Sequence, residues 1–338
     1  MYDKKLYSKS KSQKIAFFTI FVAILFVISL ASGNNGVALG DFSRLFDEGD
    51  NFSLIFFDIR LPRTLAAFFV GASLGLSGAL MQGVLKNPLA SPFTLGISQA
   101  SAFGASFAII VLQIYSVSSG FETGFITAFA AFVSSMATTF IIITAGKKAN
   151  MTPESLILFG VAIGAFFSAL TMFLQYFADD ADAAATLFWT FGDLSKAGFE
   201  VVCIIAFVLF FAGAAYFRFF WKLDALMLGR EHARSLGIDT QKFTLRVMLG
   251  ASVLSALSVA FFGIIGFVGL IAPHIVRLLA GSSHKYLIPL SALCGGGLLL
   301  FADIFSRTVM LPVVIPVGIF TSLLGAPLFL YFLYNRRR

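Results

Sequence analysis

Long apolar stretches alternate with short polar segments along almost the whole chain. The apolar stretches lie near residues 15–31, 64–83, 95–114, 124–145, 155–177, 201–217, 244–270, 287–302 and 309–334. A helix that crosses a bilayer needs about 20 apolar residues, so each stretch predicts a membrane-spanning helix. The segment 263–280 is ambiguous, because Pro273 and Arg277 interrupt it. Counting it as a short additional span gives about ten spans.

The composition supports a membrane protein and excludes two other classes. Of the 338 residues, 58% are hydrophobic and 12% are charged, and 42 are phenylalanine. A water-soluble domain has about 25% charged residues, and a disordered chain combines low hydrophobicity with high net charge. This chain has neither composition. The two cysteines, Cys203 and Cys294, lie in apolar stretches, so we expect neither a structural disulfide nor a zinc site.

The first apolar stretch has features of a signal peptide and of a retained helix. Lysines are frequent in residues 1–14, directly before the apolar run from Ile15 to Ala31. A signal peptide has such a basic start, but it also needs a cleavage site of small residues. Ala31 begins no A-x-A site, and further spans follow. We therefore predict a retained first helix.

The charged residues divide between alternate loops. Most Lys and Arg lie on one side, in residues 1–14, at Lys86 and Lys147–Lys148, and in 218–246, 277–285 and 336–338. Most Asp and Glu lie in the loops of the other side. Cytoplasmic loops carry the excess of Lys and Arg, so we predict that both termini are cytoplasmic and that the number of spans is even. The net charge of +7 then reflects orientation in the membrane, and we expect no nucleic-acid partner.

Small residues recur at helical spacing on three of the stretches. Helices in lipid approach closely where small residues share a face. The stripes are Gly71, Gly75, Ala79 and Gly83; Gly160, Gly164 and Ser168; and Gly318, Ser322 and Ala326. Each stripe could serve packing within the chain, and the last two could instead line a translocation path or a dimer seam. Those two fall at corresponding positions of a duplicated transporter fold with halves at about 15–178 and 199–334.

The sequence lacks the catalytic and nucleotide-binding motifs that we sought. Gly146-Lys147-Lys148 lacks the first glycine and the final Ser or Thr of a phosphate-binding loop, and neither H-E-x-x-H nor G-x-S-x-G occurs. The three histidines, His232, His274 and His284, are scattered along the basic side, which favours solvated or capping roles. No acid–base pair stands out within a span, which argues against proton coupling. We therefore expect no enzymatic activity, no bound metal or cofactor, and an energy source outside this chain.

Four stretches carry a family resemblance. They are RLPRTLAAFFVGASLGLSGALMQGVLKNPLASPFTLGISQAS at 60–101, GREHARSLG at 229–237, GIIGFVGLIAPHIVRLLAGSSHKYLIP at 263–289 and ADIFSRTVMLPVVIPVGIFTSLLGAPLFL at 302–330. In this order and spacing they resemble the permease subunits of ABC importers for iron-siderophores, haem and vitamin B12. The resemblance extends from about Leu54 to the C-terminus. It implies an all-α integral membrane protein with about ten transmembrane helices in two pseudo-repeated halves.

The resemblance implies a transport function. Such a permease moves a metal chelate, here a ferric siderophore or another iron complex, from the periplasm to the cytoplasm across a bacterial inner membrane. Its implied partners are a second permease subunit, two cytoplasmic ATPase subunits that use ATP and Mg²⁺, and a periplasmic substrate-binding protein. Cobalamin or haem import on the same fold stays open, as does an ion-coupled secondary transporter. The sequence decides neither which chelate is carried nor whether the two permease subunits are identical.

The resemblance also assigns a role to arginines at the predicted outer end of the spans. Arg60, Arg63 and Arg307 match arginines that pair with carboxylates of the binding protein. Charge pairs at the rim of an interface set orientation and association rate. Two alternatives stay open for these residues. They could anchor helix ends in the lipid headgroups, or Asp303 could hold Arg307 in an intrachain pair.

On the predicted cytoplasmic side, the loop at about 222–243 matches the segment that couples the permease to its ATPase. Gly229, Ala233, Leu236 and Gly237 match the family pattern. Small residues at these positions would let the turn fit closely against a partner. The alternative is an ordinary basic loop.

Two further matches are structural. Asn87 and Pro88 match a turn after the second span, and Pro273 and His274 match its counterpart in the second half. Proline removes a backbone donor, and asparagine can hydrogen-bond to freed backbone groups. We therefore expect helix breaks here and no contact with substrate. One departure is Val314, because many family members have Glu at that position.

Overall fold

The computed structural model describes residues 2–32, 51–114, 121–148 and 152–335. These residues form helices joined by short turns, with no strand among them. The helices are α1 (Tyr2–Ala31), α2 (Leu61–Val84), α3 (Ile97–Ser106), α4 (Phe121–Lys148), α5 (Pro153–Tyr176), α6 (Asp180–Thr190), α7 (Phe199–Arg218), α8 (Phe220–Leu228), α9 (Arg230–Ser235), α10 (Thr240–Phe262), α11 (Val268–Ala280), α12 (His284–Thr308) and α13 (Val317–Asn335). Wider π-helical segments lead into α2 (Ile55–Arg60) and out of α3 (Phe107–Val111).

The apolar helices coincide with the predicted spans. Within the described ranges, 6 helical segments are long and apolar enough to cross a bilayer, and they correspond to α2, α4, α5, α7, α10 and α12. Shorter apolar helices lie at Ile15–Ala31, Ile97–Val111, Val268–Ala280 and Val317–Phe332. The ambiguous segment therefore does contain a helix of its own. The chain is an all-α, multi-pass membrane protein, as the sequence predicts.

Hydropathy misplaces two helix boundaries. The stretch predicted at 244–270 is interrupted, because α10 ends at Phe262 and α11 begins at Val268. The connecting residues include Gly263 with φ of 75° and Phe267 with φ of 64°, which no helix accommodates. The last helix begins at Val317 and not near 309. In both places the connecting residues are as apolar as the helices, so hydropathy does not mark the break.

Pro273 and His274 lie inside α11 and do not break it, so this prediction is wrong. Proline lacks the N–H that would bond to the carbonyl oxygen four residues earlier, which is that of Gly269. The side-chain amide of Gln82 on α2 lies 3.4 Å from that oxygen and donates a hydrogen bond to it. A neighbouring helix therefore satisfies the carbonyl group, and α11 continues. The break in this half lies at residues 263–267 instead.

The chain leaves α2 through a turn at Asn87 and Pro88. The Oδ1 atom of Asn87 accepts a hydrogen bond from the backbone N–H of Leu89 at 2.8 Å. The carbonyl oxygen of Asn87 accepts another from Ala90 at 3.1 Å. These bonds stabilise the turn, and the helix end expected from the sequence lies here.

The centre of the molecule is α2, which is buried along most of its length. Gly71 and Gly75 face α12 at such short range that a Cβ atom on Gly75 would overlap the carbonyl oxygen of Ser291. Gly71 meets the backbone of Gly295 in the same way, and Gly78 meets the backbone of α11. The first small-residue stripe therefore serves backbone-to-backbone packing within the chain.

Replacing Gly75 with alanine should destabilise the chain by about 1–3 kcal/mol, because the added methyl group meets backbone atoms that cannot rotate away. The measurement is the midpoint of thermal unfolding of the purified chain in detergent. Gly124→Ala on α4 is the matched control, since a Cβ atom there meets nothing in the described chain within 4 Å. Equal midpoints for the two variants would contradict the close packing of α2 against α12.

Three helices leave wide apolar faces that the described chain does not cover. Exposed side chains on these faces include Leu158, Phe166, Phe173 and Tyr176 on α5, Phe207 and Phe210 on α7, and Leu323 and Leu330 on α13. In a multi-pass membrane protein, such faces contact lipid or another membrane-embedded chain.

Candidate functional site

At the start of α2 and the end of α12, a buried carboxylate holds two arginines. Asp303 has an exposed fraction of 0%. Its Oδ1 atom accepts a hydrogen bond from Nε of Arg63 at 2.9 Å, and its Oδ2 atom lies 2.8 Å from Nη2 of Arg307. Arg60 is also buried and lies near enough to Arg307 for their charges to repel. We call Arg60, Arg63, Asp303 and Arg307 the arginine cluster.

Arg307 also ties α1 to the arginine cluster. Its Nη1 atom donates to the carbonyl oxygen of Ser32 at 3.0 Å, and its Nη2 atom donates to the hydroxyl oxygen of Ser29 at 2.8 Å. The last carbonyl groups of a helix lack intrahelical partners and carry partial negative charge, so they favour a cation. A second contact joins the hydroxyls of Ser29 and Thr64 at 3.0 Å. Together these contacts join the ends of α1, α2 and α12.

These contacts confirm the intrachain pair between Asp303 and Arg307 that the sequence left open. Burial of Arg307 contradicts the alternative that it reaches into the lipid headgroups. The cluster contains three arginines and one carboxylate, with Arg63 and Arg307 paired to Asp303, so it carries an excess of positive charge. That charge suits an acidic partner, and docking of a binding protein through Arg60, Arg63 and Arg307 stays a prediction.

At the opposite end of α2 and α12, α8 and α9 form a short helical hairpin. Gly229 separates the two helices with φ of 137°, and Gly237 follows α9 with φ of 76°. Both values lie in the region that favours glycine, because a Cβ atom would be strained there. The two predicted glycines therefore set the path of the hairpin. A Cβ atom at Gly237 would meet nothing within 4 Å in the described chain, so this turn is open to a partner.

The other two predicted coupling residues lie on opposite sides of the hairpin. Ala233 has an exposed fraction of 0% and packs in the same core cluster as Leu226 and Phe243. It anchors the hairpin to its own chain, so the expectation that this small residue contacts a partner is wrong. Leu236 is 52% exposed, and Leu228, which sequence reasoning missed, is 74% exposed. Leu228 ends α8 and Leu236 follows α9, so both leucines are exposed apolar side chains of the hairpin. The family pattern matched small residues and did not distinguish buried from exposed faces.

Asp224 of α8 fastens the hairpin to the first turn of α12. Its Oδ1 atom accepts hydrogen bonds from the backbone N–H of His284 at 2.8 Å and from the Nδ1 atom of the same residue at 2.6 Å. Its Oδ2 atom accepts from the hydroxyl of Ser283 at 3.1 Å. A carboxylate at a helix N-terminus satisfies unpaired donors and complements the helix dipole. Sequence reasoning missed this clamp, because about 60 residues separate the partners.

Asp224 should contribute stability that is lost in acid. Partial burial raises the pKa of Asp224, but hydrogen bonds from His284 and Ser283 outweigh it and hold the pKa below the usual 3.8. A carboxyl group with a lowered pKa stabilises the folded state above its unfolded pKa, and the effect disappears as the pH falls. Asp224→Asn should therefore lower the stability by about 1 kcal/mol near pH 7, with the difference from the unsubstituted chain shrinking below about pH 4.

Thermal unfolding of the purified chain between pH 3 and pH 7 measures this difference. Glu231→Gln, an exposed substitution in the same hairpin, is the control and should show no such trend. If the difference in unfolding midpoint between Asp224→Asn and the unsubstituted chain stays constant with pH, the Asp224 carboxylate does not stabilise the hairpin as described.

The second and third small-residue stripes also pack within the chain. A Cβ atom on Gly160 would lie 2.7 Å from the Cα atom of Leu95, and one on Gly164 would lie 3.2 Å from that of Gly96. Gly318 meets the carbonyl oxygens of Phe191 and Ile264. The packing role is therefore the one that the contacts support, and these three glycines do not line a path or a seam in this structure. Ser168 is half-buried, and Ser322 is exposed.

The described residues contain no group of three or more His, Cys, Asp or Glu side chains placed to hold a metal ion. Cys203 and Cys294 are free thiols, the first exposed and the second buried. The chemistry that the structure displays is therefore that of ion pairs, hydrogen bonds and apolar contacts between helices.

Apolar helices with uncovered faces, a charged cluster at one end and a protruding hairpin at the other define a multi-pass membrane permease. The sequence profile of the FecCD transport family matches residues 21–335. The chain belongs to this family, and the resemblance predicted from its four motifs is confirmed.

Three similar proteins illustrate the family. The hemin transport system permease protein HmuU of Yersinia pestis is 36% identical over 94% of this chain and 95% of its own length. The Fe(3+)-citrate import system permease protein YfmE of Bacillus subtilis is 36% identical over 98% of both chains. A solved structure of a protein assigned to the metal-chelate type of ABC transporter, in an inward-facing conformation, superimposes with a TM-score of 0.83. It is 31% identical and covers 96% of this chain and 99% of its own.

Proposed function

We propose that this chain is the transmembrane permease subunit of an ABC importer that moves a metal chelate from the periplasm to the cytoplasm. The observation that carries the proposal is the α8–α9 hairpin, which presents Leu228 and Leu236 to an external partner. The sequence has no nucleotide-binding motif of its own. A permease that must receive the energy of ATP hydrolysis from another subunit needs such a surface.

The proposed cargo is an iron complex, most simply a ferric siderophore. Two similar proteins are permeases for hemin and for ferric citrate, both of which contain iron. The uncovered faces of α5 and α13 are apolar, which suits a bulky chelate moved whole along a weakly interacting path. Cobalamin or haem import on the same fold is the alternative, and an ion-coupled secondary transporter is an alternative of a different class.

The proposed assembly contains two permease subunits, two ATPase subunits on the cytoplasmic face and a periplasmic substrate-binding protein. ATP and Mg²⁺ would be bound by the ATPase subunits, and this chain would have no enzymatic activity. The proposed location is a bacterial inner membrane, with both termini in the cytoplasm. The basic residues near α8 and α9 support this orientation.

Uptake into proteoliposomes tests the cargo. The permease is reconstituted with its ATPase and binding protein, and uptake of ⁵⁵Fe-labelled ferric siderophore, labelled haem and ⁵⁷Co-cobalamin is measured with ATP on the ATPase side. We expect ATP-dependent uptake of the ferric complex. ATP-dependent uptake of cobalamin or haem alone would contradict iron-siderophore import and leave the ABC mechanism standing.

Arg60→Glu should slow the association of the binding protein by about two- to tenfold, because it reverses one positive charge of the arginine cluster and charge attraction speeds encounter. Arg63 and Arg307 are avoided in this test, since they hold Asp303 and their reversal would also break those ion pairs. Surface plasmon resonance with the binding protein at two salt concentrations measures the effect. Lys196→Glu, an exposed substitution on the same predicted side, is the control. An association rate that Arg60→Glu leaves unchanged would contradict docking at this residue.

A further inference from the structure

A cavity of about 550 Å³ opens where α2, α8, α11, α12 and α13 meet, at the hairpin end of the molecule. Its volume lies in the range of small-molecule sites, about 300–1,000 Å³. It is distinct from the arginine cluster, which lies at the other end of α2 and α12. We call it the basic cavity, for the residues described next.

Nitrogen-bearing side chains from three parts of the chain line the basic cavity, and none of the lining residues that the structure describes is acidic. Lys86 follows α2, His274 and Arg277 lie on α11, and His284 begins α12. Asp224, a carboxylate at this end of the molecule, accepts the hydrogen bonds of His284. The described lining therefore offers positively charged side chains to an anion that enters the cavity.

The positive charges in and near the cavity are crowded. Burial, together with the neighbouring charge of Arg230, lowers the pKa of Lys86. Lys86 therefore lies near enough to Arg230 for the two positive charges to repel each other. A bound anion would relieve that repulsion.

The geometry of the cavity also places hydrogen-bond donors. Arg277 donates through Nη2 to Oε1 of Gln82, which fixes the guanidinium group at the cavity wall. Ser282 adds a hydroxyl group to the lining. A fixed guanidinium group and a lysine are the side chains that proteins use to bind phosphate oxygens.

The rest of the wall is apolar. Met227, Leu278, Leu287, Tyr331 and Phe332 complete the lining, and Leu278 and Tyr331 are largely exposed. The cavity therefore has a basic part and an apolar part that opens to the outside of the chain. Basic pockets between membrane helices on the cytoplasmic side bind the headgroups of anionic lipids. A soluble phosphate ester would use the same basic part.

We propose that the basic cavity binds a phosphate group, supplied by an anionic phospholipid headgroup or by a free phosphate. Lys86 and Arg277 are the direct ligands, and the apolar wall accommodates the first part of an acyl chain in the case of a lipid. This site is independent of the proposed transport function, since it rests on the lining of the cavity alone.

Two arms of one experiment distinguish the two sources. The full-length chain is purified in detergent, and its retention of added phosphatidylglycerol or phosphatidylcholine is measured by native mass spectrometry. Calorimetric titration with inorganic phosphate forms the second arm. Lys86→Gln and Arg277→Gln should each weaken binding by about five- to tenfold. Lys285→Gln is the matched control, because Lys285 is exposed at the same end and lies outside the lining.

Each outcome decides the proposal. A lipid headgroup is supported if the chain retains phosphatidylglycerol in preference to phosphatidylcholine, and if Lys86→Gln reduces this preference while Lys285→Gln does not. Saturable binding of inorganic phosphate with the same dependence, without a lipid preference, supports a free phosphate. The proposal is overturned if neither probe binds, or if Lys285→Gln weakens binding as much as Lys86→Gln. Arg277→Gln also removes the contact with Gln82, so Lys86→Gln carries the test if the Arg277 variant does not fold.

Discussion

Asp303→Asn should destabilise the chain by about 3–5 kcal/mol, which is the cost of removing one partner from a buried ion pair. Asparagine has nearly the same shape, so the change removes charge and little volume. Arg63 and Arg307 would then remain buried without the carboxylate that now accepts their contacts at 2.9 and 2.8 Å. The expected result is a large loss of folded protein in the membrane and a lower midpoint of thermal unfolding in detergent.

A second substitution separates the loss of the ion pair from a general loss of packing. Adding Arg63→Gln to Asp303→Asn removes one of the unpaired charges, so the double variant should recover part of the lost stability. Asp180→Asn is the control, because Asp180 is exposed at the start of α6. Asp303→Asn with the unfolding midpoint of the unsubstituted chain would contradict the assignment of this carboxylate as the centre of the arginine cluster.

The double substitution Leu228→Glu and Leu236→Glu should abolish stable binding of the ATPase subunit. Both side chains are exposed on the hairpin, at 74% and 52%, so the folded chain has little need of them. An apolar anchor at the centre of an interface contributes about 2 kcal/mol or more, and a buried unpaired carboxylate costs further free energy. Each substitution alone should therefore weaken binding by about thirtyfold or more.

Copurification of the ATPase with tagged permease measures this loss, and ATP-dependent uptake should fall with it. Gln241→Glu adds an acid at the exposed start of α10 and serves as the control for charge at this end of the molecule. If the ATPase copurifies equally well with the leucine double variant and with the unsubstituted chain, the coupling surface does not include Leu228 and Leu236. That result would contradict its placement on the hairpin.

Hydropathy predicted the positions and order of the six long apolar helices, because each span must be apolar over its whole length. It did not predict the break at residues 263–267. Gly263 and Phe267 have positive φ values there, and backbone conformation leaves no trace in a hydropathy pattern. Pro273 looked like the better break, but Gln82 of another helix satisfies the carbonyl that it frees.

Only one of the two ion pairs in the arginine cluster could be predicted from the sequence. Asp303 and Arg307 are four residues apart, so they share one face of a helix and their pairing could be proposed. Arg63 is 240 residues from Asp303 along the chain, and only the packing of α2 against α12 brings them together. Local spacing carries no information on such a contact.

The hardest feature to predict was which neighbour each small residue packs against. Small residues at helical spacing mark a close approach but do not say whose backbone approaches. Gly160 and Gly164 meet residues that begin α3, and Ala233 packs into the core of its own chain. Leu228 and Leu236, which are exposed on the hairpin, are better indicators of a partner surface than the small residues beside them.

The central claim is that this permease works only with energy delivered by an ATPase through the α8–α9 hairpin. Uptake of labelled chelate into proteoliposomes tests it most directly, with the permease reconstituted in the presence or absence of the ATPase subunit, with ATP, or with an imposed proton or sodium gradient. We predict uptake only when the ATPase and ATP are both present. Uptake driven by an ion gradient in the absence of the ATPase would contradict the claim and would identify a secondary transporter instead.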